Sequence, residues 1–267
     1  MTDKKTHLNV HMRNVFAPGR PIVLIHGVST TADNWSGVIP YLPKDRPIVS
    51  YDLRGHGASG TPAPGPWTAE DFADDHAQLL DLLELEQTDL VGCSLGGVIG
   101  QAIALRYPER VNRIVLVSAV AGRTEAEAER SLARLHRIET LSIEDIAQES
   151  VERWYTPEYI QENPEIRETV LAELKKLDRD HYAAAYRVLA TSDYAERLPE
   201  ISHPTLAITG EGDIGSPPHM TELIGEKVQN GRSMIVKGAK HSLLKEEPEL
   251  LARVITEHFS IGANDEN

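Results

Sequence analysis

One cysteine, Cys93, stands in 267 residues. That excludes an internal disulfide framework and any cysteine-rich zinc site. Positive charge is also short: 27 Lys and Arg face 41 Asp and Glu, a formal net charge of −14. Neither a phosphate backbone nor an anionic lipid surface attracts such a chain, which argues against nucleic acid and membrane as partners. No apolar run approaches membrane-spanning length, and the opening "MTDKKTHLNVHMRN" has no apolar secretion core. Internal repeats and low-complexity tracts are missing too. The expectation is a cytoplasmic protein acting on a small-molecule substrate, and homo-oligomerisation is compatible with this composition. With 40% hydrophobic and 25% charged residues, the chain resembles ordinary globular proteins with a sizeable core.

What is present alternates. The runs PIVLI (21–25), PIVSYD (47–52), DLVGC (89–93) and RIVLVS (113–118) are short, β-rich and apolar throughout, the pattern of strands covered on both faces. Between the second and third, Thr68 and Asp71 make a helix-start signature. Phe72, His76, Leu79, Leu80 and Leu83 then fall on one stripe. This alternation predicts right-handed crossovers and a mostly parallel β-sheet flanked by helices, an α/β fold. Over 122–198 the strands stop. Glu, Arg, Leu and Ala crowd the segment, and its periodicity predicts short helices around 125–138, 143–154, 164–177 and 181–189. The alternation then resumes with PTLAITG (204–210), a helix near 219–228, RSMIVKG (232–238) and a last helix striped by Leu250, Leu251, Val254, Ile255 and Phe259. The expected organisation is an α/β core of 1–121 and 199–267 with 122–198 inserted as a helical cap. Such a cap would sit over the strand ends, where ligands bind in open α/β sheets.

"DLVGCSLGGVIGQ" puts a serine on the bend between a buried strand and a helix. Gly92-Cys93-Ser94-Leu95-Gly96 is a G-x-S-x-G pattern, in which small neighbours let strand and helix pass closely and expose the hydroxyl as a nucleophile. A serine hydroxyl needs a base, and imidazole suits that task near neutral pH. Of 11 histidines, His241 follows the last strand and precedes the last helix, on the strand-end face where Ser94 emerges. His56 reads as a loop histidine and His76 as core; His136, His181 and His258 read as surface. Asp213 in "ITGEGDIGSPP" follows the preceding strand and is the expected carboxylate partner, with Glu211 the neighbouring alternative. The order Ser94, Asp213, His241 differs from the protease orders. Backbone N–H groups of Leu95, after the nucleophile, and Val28, after "PIVLIHG", are the expected oxyanion hole.

These phrases resemble the α/β-hydrolase superfamily over nearly the whole chain, in "IHGVSTTADNW", "YDLRGHGASGTPAPGPW", "GCSLGG", "YPERVNRIVLVS", "GEGDIGSPP" and "KHSLLKEEPE". Within it, "SLGGVIGQAIALRYPERVNRIVL" is most similar to 3-oxoadipate enol-lactonases and related small-molecule esterases. The resemblance implies a serine hydrolase of an ester or (enol-)lactone of a small organic acid, working through an acyl-enzyme with no metal or organic cofactor. The same triad also serves hydrolysis of an amide or carbon–carbon bond of a small catabolic intermediate. A ligand receptor on this fold is the reading of another class. Two departures stand out: Lys240 replaces the glycine that usually precedes the histidine, and "VSTTADNW" lacks the glycine-proline-glycine stretch of carbon–carbon hydrolases. An enol-lactone acid would be anionic, so local cations must offset the net charge. Lys240, Arg123, Arg130, Arg134 and Arg153 are the candidates, while Trp154, Tyr155 and Tyr186 are candidates for the pocket wall or the cap's own core.

Overall fold

Among the described residues seven strands form one sheet. The computed structural model describes residues 7–60 and 62–260. The strands are β1 (Val10–Arg13), β2 (Ile22–Ile25), β3 (Ile48–Tyr51), β4 (Thr88–Cys93), β5 (Val111–Val117), β6 (Thr205–Gly210) and β7 (Gly231–Val236). Across the sheet they run β1-β3-β2-β4-β5-β6-β7; β1 pairs antiparallel with β3, and every other pairing is parallel. All strands from β2 onward therefore end on the same edge of the sheet. The sheet is flanked by α1 (Ala69–Leu82), α2 (Leu95–Arg106), α8 (Pro218–Lys227) and α10 (Pro248–Ser260); the short α9 (Leu243–Glu246) precedes α10. Between β5 and β6 run α3 (Glu125–Thr140), α4 (Ile143–Trp154), α5 (Pro157–Glu162), α6 (Ile166–Lys175) and α7 (Arg179–Thr191). Among the described residues no helix is long and apolar enough to cross a membrane.

The apolar runs are explained by burial on both faces. Side chains alternate along a strand, so β2 sends Val23 and Ile25 into one core and Ile22 and Leu24 into the other. The first core packs the sheet against α1, α2 and α8 and continues into the inserted helices. The second packs it against Trp35 and α10. Helix starts follow local chemistry. Thr68 with Asp71 and Thr124 with Glu127 form reciprocal capping boxes, while Ser142, Thr156 and Asp178 accept backbone N–H groups through their side chains. Each such cap satisfies donors that a helix leaves unpaired at its start and contributes about 1 kcal/mol. α2 is buried from Leu95 to Ala104 on every side, so its glycines, as well as its apolar stripe, are packed.

Three details differ from the sequence reading. β1 is an added edge strand, half-buried, that alternates Val10 and Met12 with His11 and Arg13, and such a strand lacks the continuous apolar run that marks the others. α5 starts at Pro157 behind its Thr156 cap and is too short for a periodic stripe. His258 is buried, not on the surface: Arg232 donates to its Nδ1 at 3.2 Å, and its Nε2 donates to Pro204 O at 3.2 Å. Burial pulls its pKa down to about 4, so it packs as a neutral ring.

Candidate active site

The parallel topology decides what meets at the strand ends. β2 and β4 are neighbours, so the loop after Ile25 lies beside Ser94; β6 and β7 are neighbours, so the loops carrying Asp213 and His241 meet. Ser94 itself has φ 55° and ψ −114°, a left-handed backbone uncommon for serine. Its N–H donates to Val117 O on β5 at 2.8 Å, and its carbonyl accepts from Gly97 N at 2.9 Å. The bend leaves no room at its flanks. A Cβ on Gly92 would lie 2.1 Å from Gly96 O, and one on Gly96 would lie 2.4 Å from Ile25 O and 2.7 Å from His26 O. Gly96→Ala is thus expected to cost about 2–3 kcal/mol by overpacking, a fall of roughly 4–12 °C in Tm for a chain this size. Gly65→Ala is the control, since its nearest neighbour would be 3.7 Å away. Equal melting of the two variants would refute this account of the bend.

Asp213 is buried, with four donors on two oxygens. Oδ1 accepts from Gly215 N at 2.8 Å and Ser216 N at 3.0 Å; Oδ2 accepts from Thr209 Oγ1 at 3.0 Å and His241 Nδ1 at 2.7 Å. Burial alone would push the carboxyl up, but the His241 charge and these hydrogen bonds hold it below the usual carboxylate range. An ionised carboxylate only accepts, so Nδ1 of His241 carries a proton and, in the neutral ring, Nε2 keeps its lone pair. Glu211 is turned elsewhere, its Oε2 accepting from Gly238 N at 3.1 Å. Ser118, at φ 49°, ties the loops together: its Oγ donates to His241 O at 3.2 Å and its carbonyl accepts from Ser216 Oγ at 2.7 Å.

Ser94 and His241 line one cavity between the strand ends and the inserted helices. Val28 lines it as well. The carbonyl of Gly27 is occupied within its own loop, by His26 Nδ1 at 2.7 Å and Thr30 Oγ1 at 2.9 Å. The N–H of Val28 belongs to the same trans peptide and faces the opposite way. That loop presses on the serine: a Cβ on Gly27 would stand 3.2 Å from Ser94 Cβ. Leu95 is the first residue of α2, where a helix N–H has no intrahelical acceptor. His56, buried in the next loop, supports the same segment by accepting Ser29 N at 3.3 Å.

The remaining expected residues divide. Arg123, Arg134, Arg153, Trp154, Tyr155 and Tyr186 line the cavity. Lys240 and Arg130 do not. The Lys240 ammonium donates to Glu152 O at 2.7 Å on the outside, and the Arg130 side chain is 66% exposed beside Glu127. Arg134 is tied up by Glu149 and by Ser150 Oγ at 2.8 Å. Arg123 donates to the carbonyls of Ser192, at 2.8 Å, and Leu189. Sequence reading missed Thr209 and Ser216, which fix Asp213, and Lys245, which lines the cavity four residues after His241. The spacing from His241 was the one available signal for Lys245. Cys93 also reaches the wall, where burial and the Asp213 charge push its thiol up to about 12.

Comparison with known proteins follows this geometry. The family described as alpha/beta hydrolase fold matches residues 20–156. The chain is 35% identical over 192 residues to 3-oxoadipate enol-lactonase 2 of Acinetobacter baylyi, covering 72% of this chain and 71% of that one. It is 30% identical over 234 residues to the (E)-2-((N-methylformamido)methylene)succinate hydrolase of the same organism, covering 86% and 87%. Among solved structures, a thermophilic esterase from Thermogutta terrifontis, determined with malate bound, superposes with a TM-score of 0.85 at 26% identity, covering 97% and 95%. The chain belongs to the alpha/beta hydrolase fold family and is a hydrolase.

Proposed function

We propose that the chain hydrolyses an ester or enol-lactone of a small organic acid through an acyl-enzyme on Ser94. The observation that carries this reading is the 2.7 Å Asp213–His241 pair opening onto the cavity that Ser94 lines. His241 Nε2 takes the hydroxyl proton as Ser94 Oγ attacks the carbonyl carbon. Negative charge gathers on the carbonyl oxygen, and the N–H groups of Val28 and Leu95 are its proposed donors. Collapse breaks the acyl–oxygen bond, the leaving oxygen takes the proton from His241, and an acyl-Ser94 ester remains. Water, deprotonated by the same nitrogen, then releases the acid and restores the serine. Asp213 holds the ring in the required tautomer and offsets the imidazolium charge. Two relatives named for an enol-lactone and a substituted succinate support a small acid as substrate, and "VSTTADNW" favours ester over carbon–carbon cleavage.

A fluorophosphonate probe tests this directly. Its expected result is one covalent adduct, placed on Ser94 by peptide mass spectrometry, with loss of turnover toward 4-nitrophenyl esters in step with labelling. Labelling at another residue, or full labelling without ester turnover before it, would overturn the ester reading.

A further inference from the structure

The cavity wall carries four cationic side chains, Arg123, Arg134, Arg153 and Lys245, and not one Asp or Glu among its lining residues. In a chain of net charge −14 this is a local inversion of sign. Two of the four are already engaged within the protein, Arg134 by the Glu149 carboxylate and Arg123 by two backbone carbonyls. The other two are half-buried, and their charged groups make no hydrogen bond or ion pair with any described residue. An unpaired charge drawn out of water is costly. Holding two of them on the wall of a reaction cavity makes sense when a ligand supplies the missing anion.

We infer that Lys245, together with Arg153, holds a free carboxylate carried by the substrate in addition to the carbonyl that Ser94 attacks. The inference rests on the ester-hydrolase reading for what happens to the ligand, and on the cavity's charge for what the ligand is. The substrate class is then a half-ester or lactone of a dicarboxylic acid. Water adds across the acyl–oxygen bond, so the released acid carries two carboxylates. Arg153 offers a planar fork suited to two carboxylate oxygens, and Lys245 a compact point charge. Lys245 follows His241 directly through Ser242 and α9, so the loop that places the base also places this cation. Burial pulls its ammonium below the usual lysine range, with Asp33 and Glu173 offsetting part of that from a distance, as befits a cation awaiting a partner.

The test compares mono-4-nitrophenyl glutarate with its neutral methyl 4-nitrophenyl diester. The parent chain is expected to prefer the half-ester. Lys245→Met, which keeps the apolar stem, and Arg153→Gln should each lower the half-ester to diester ratio of kcat/KM about ten- to a hundred-fold, mainly through KM. Lys245→Arg should restore most of it. An unchanged ratio in Lys245→Met, or a parent that prefers the diester, overturns the inference while leaving ester hydrolysis standing. A second arm needs no turnover: glutarate binding to Ser94→Ala, by calorimetry, should weaken about tenfold or more when Lys245→Met is added. That result supports the anion site even if neither ester is cleaved, in which case the ester reading alone has failed. Equal binding with and without the lysine overturns the site.

Discussion

Ser94→Ala is expected to lower kcat/KM by about 10⁴-fold or more toward any ester the parent cleaves, with Tm unchanged within about 2 °C. The size of the loss is typical of removing a nucleophile, the role proposed for Ser94, while its proposed base and oxyanion donors remain in place. The unchanged Tm follows from the bend. Although Ser94 stands at the start of α2, its side chain makes no capping hydrogen bond. The strained backbone is held by Val117 O and Gly97 N instead. Losing the hydroxyl therefore costs the helix nothing. Steady-state kinetics and thermal melting of the purified variant check both halves. A variant that folds and keeps more than a hundredth of the activity would remove Ser94 from the mechanism.

Asp213→Asn should cost about as much, on the order of 10⁴-fold in kcat, for a reason visible in the hydrogen bonds. Oδ1 faces two N–H donors, from Gly215 and Ser216. The amide of asparagine must put its oxygen there, because an NH₂ group would meet two donors. Its NH₂ then occupies the place of Oδ2 and donates to His241 Nδ1. That forces the ring proton onto Nε2, the atom proposed to accept from Ser94. The fold should survive, since three of the four contacts can be kept. Glu211→Gln, at an exposed carboxylate bonded to Gly238 N, should change kcat less than threefold. Reversed effects in the two variants would move the acid role to Glu211.

Much of this was legible because the motifs are local and the topology is regular. Ser94, Asp213 and His241 each sit just past the end of a strand, and a parallel sheet brings such ends together whatever the details of packing. The cations were less legible. Lys240 and Lys245 are five residues apart in the same phrase, and the choice between them depends on which way α9 turns the chain. Arg134 and Arg153 look equivalent in sequence, yet one meets Glu149 on the next helix and the other meets no carboxylate among the described residues. Pairing of that kind is settled by how α3 packs on α4, a tertiary contact with no local signature. β1 escaped for a different reason: it is a four-residue edge strand paired to β3, in which only Val10 and Met12 face the core and His11 and Arg13 alternate with them.

The apolar cluster that joins the inserted helices to the sheet has a consequence for how the pocket can change. Leu135, Ile138, Val151 and Tyr182 of those helices belong to the same buried cluster as Leu95 and Ile99 of α2. Of those helices α7 packs on α2 as well as on α3, and each large apolar side chain that such a contact buries contributes about 1.5–3 kcal/mol. The same helices that shape the pocket also carry part of the molecule's folding stability, so selection for a new substrate through their buried apolar side chains draws on a shared reserve. Changes at Lys245 or Arg153, on half-buried side chains outside that cluster, leave the reserve untouched and are the cheaper route to altered preference.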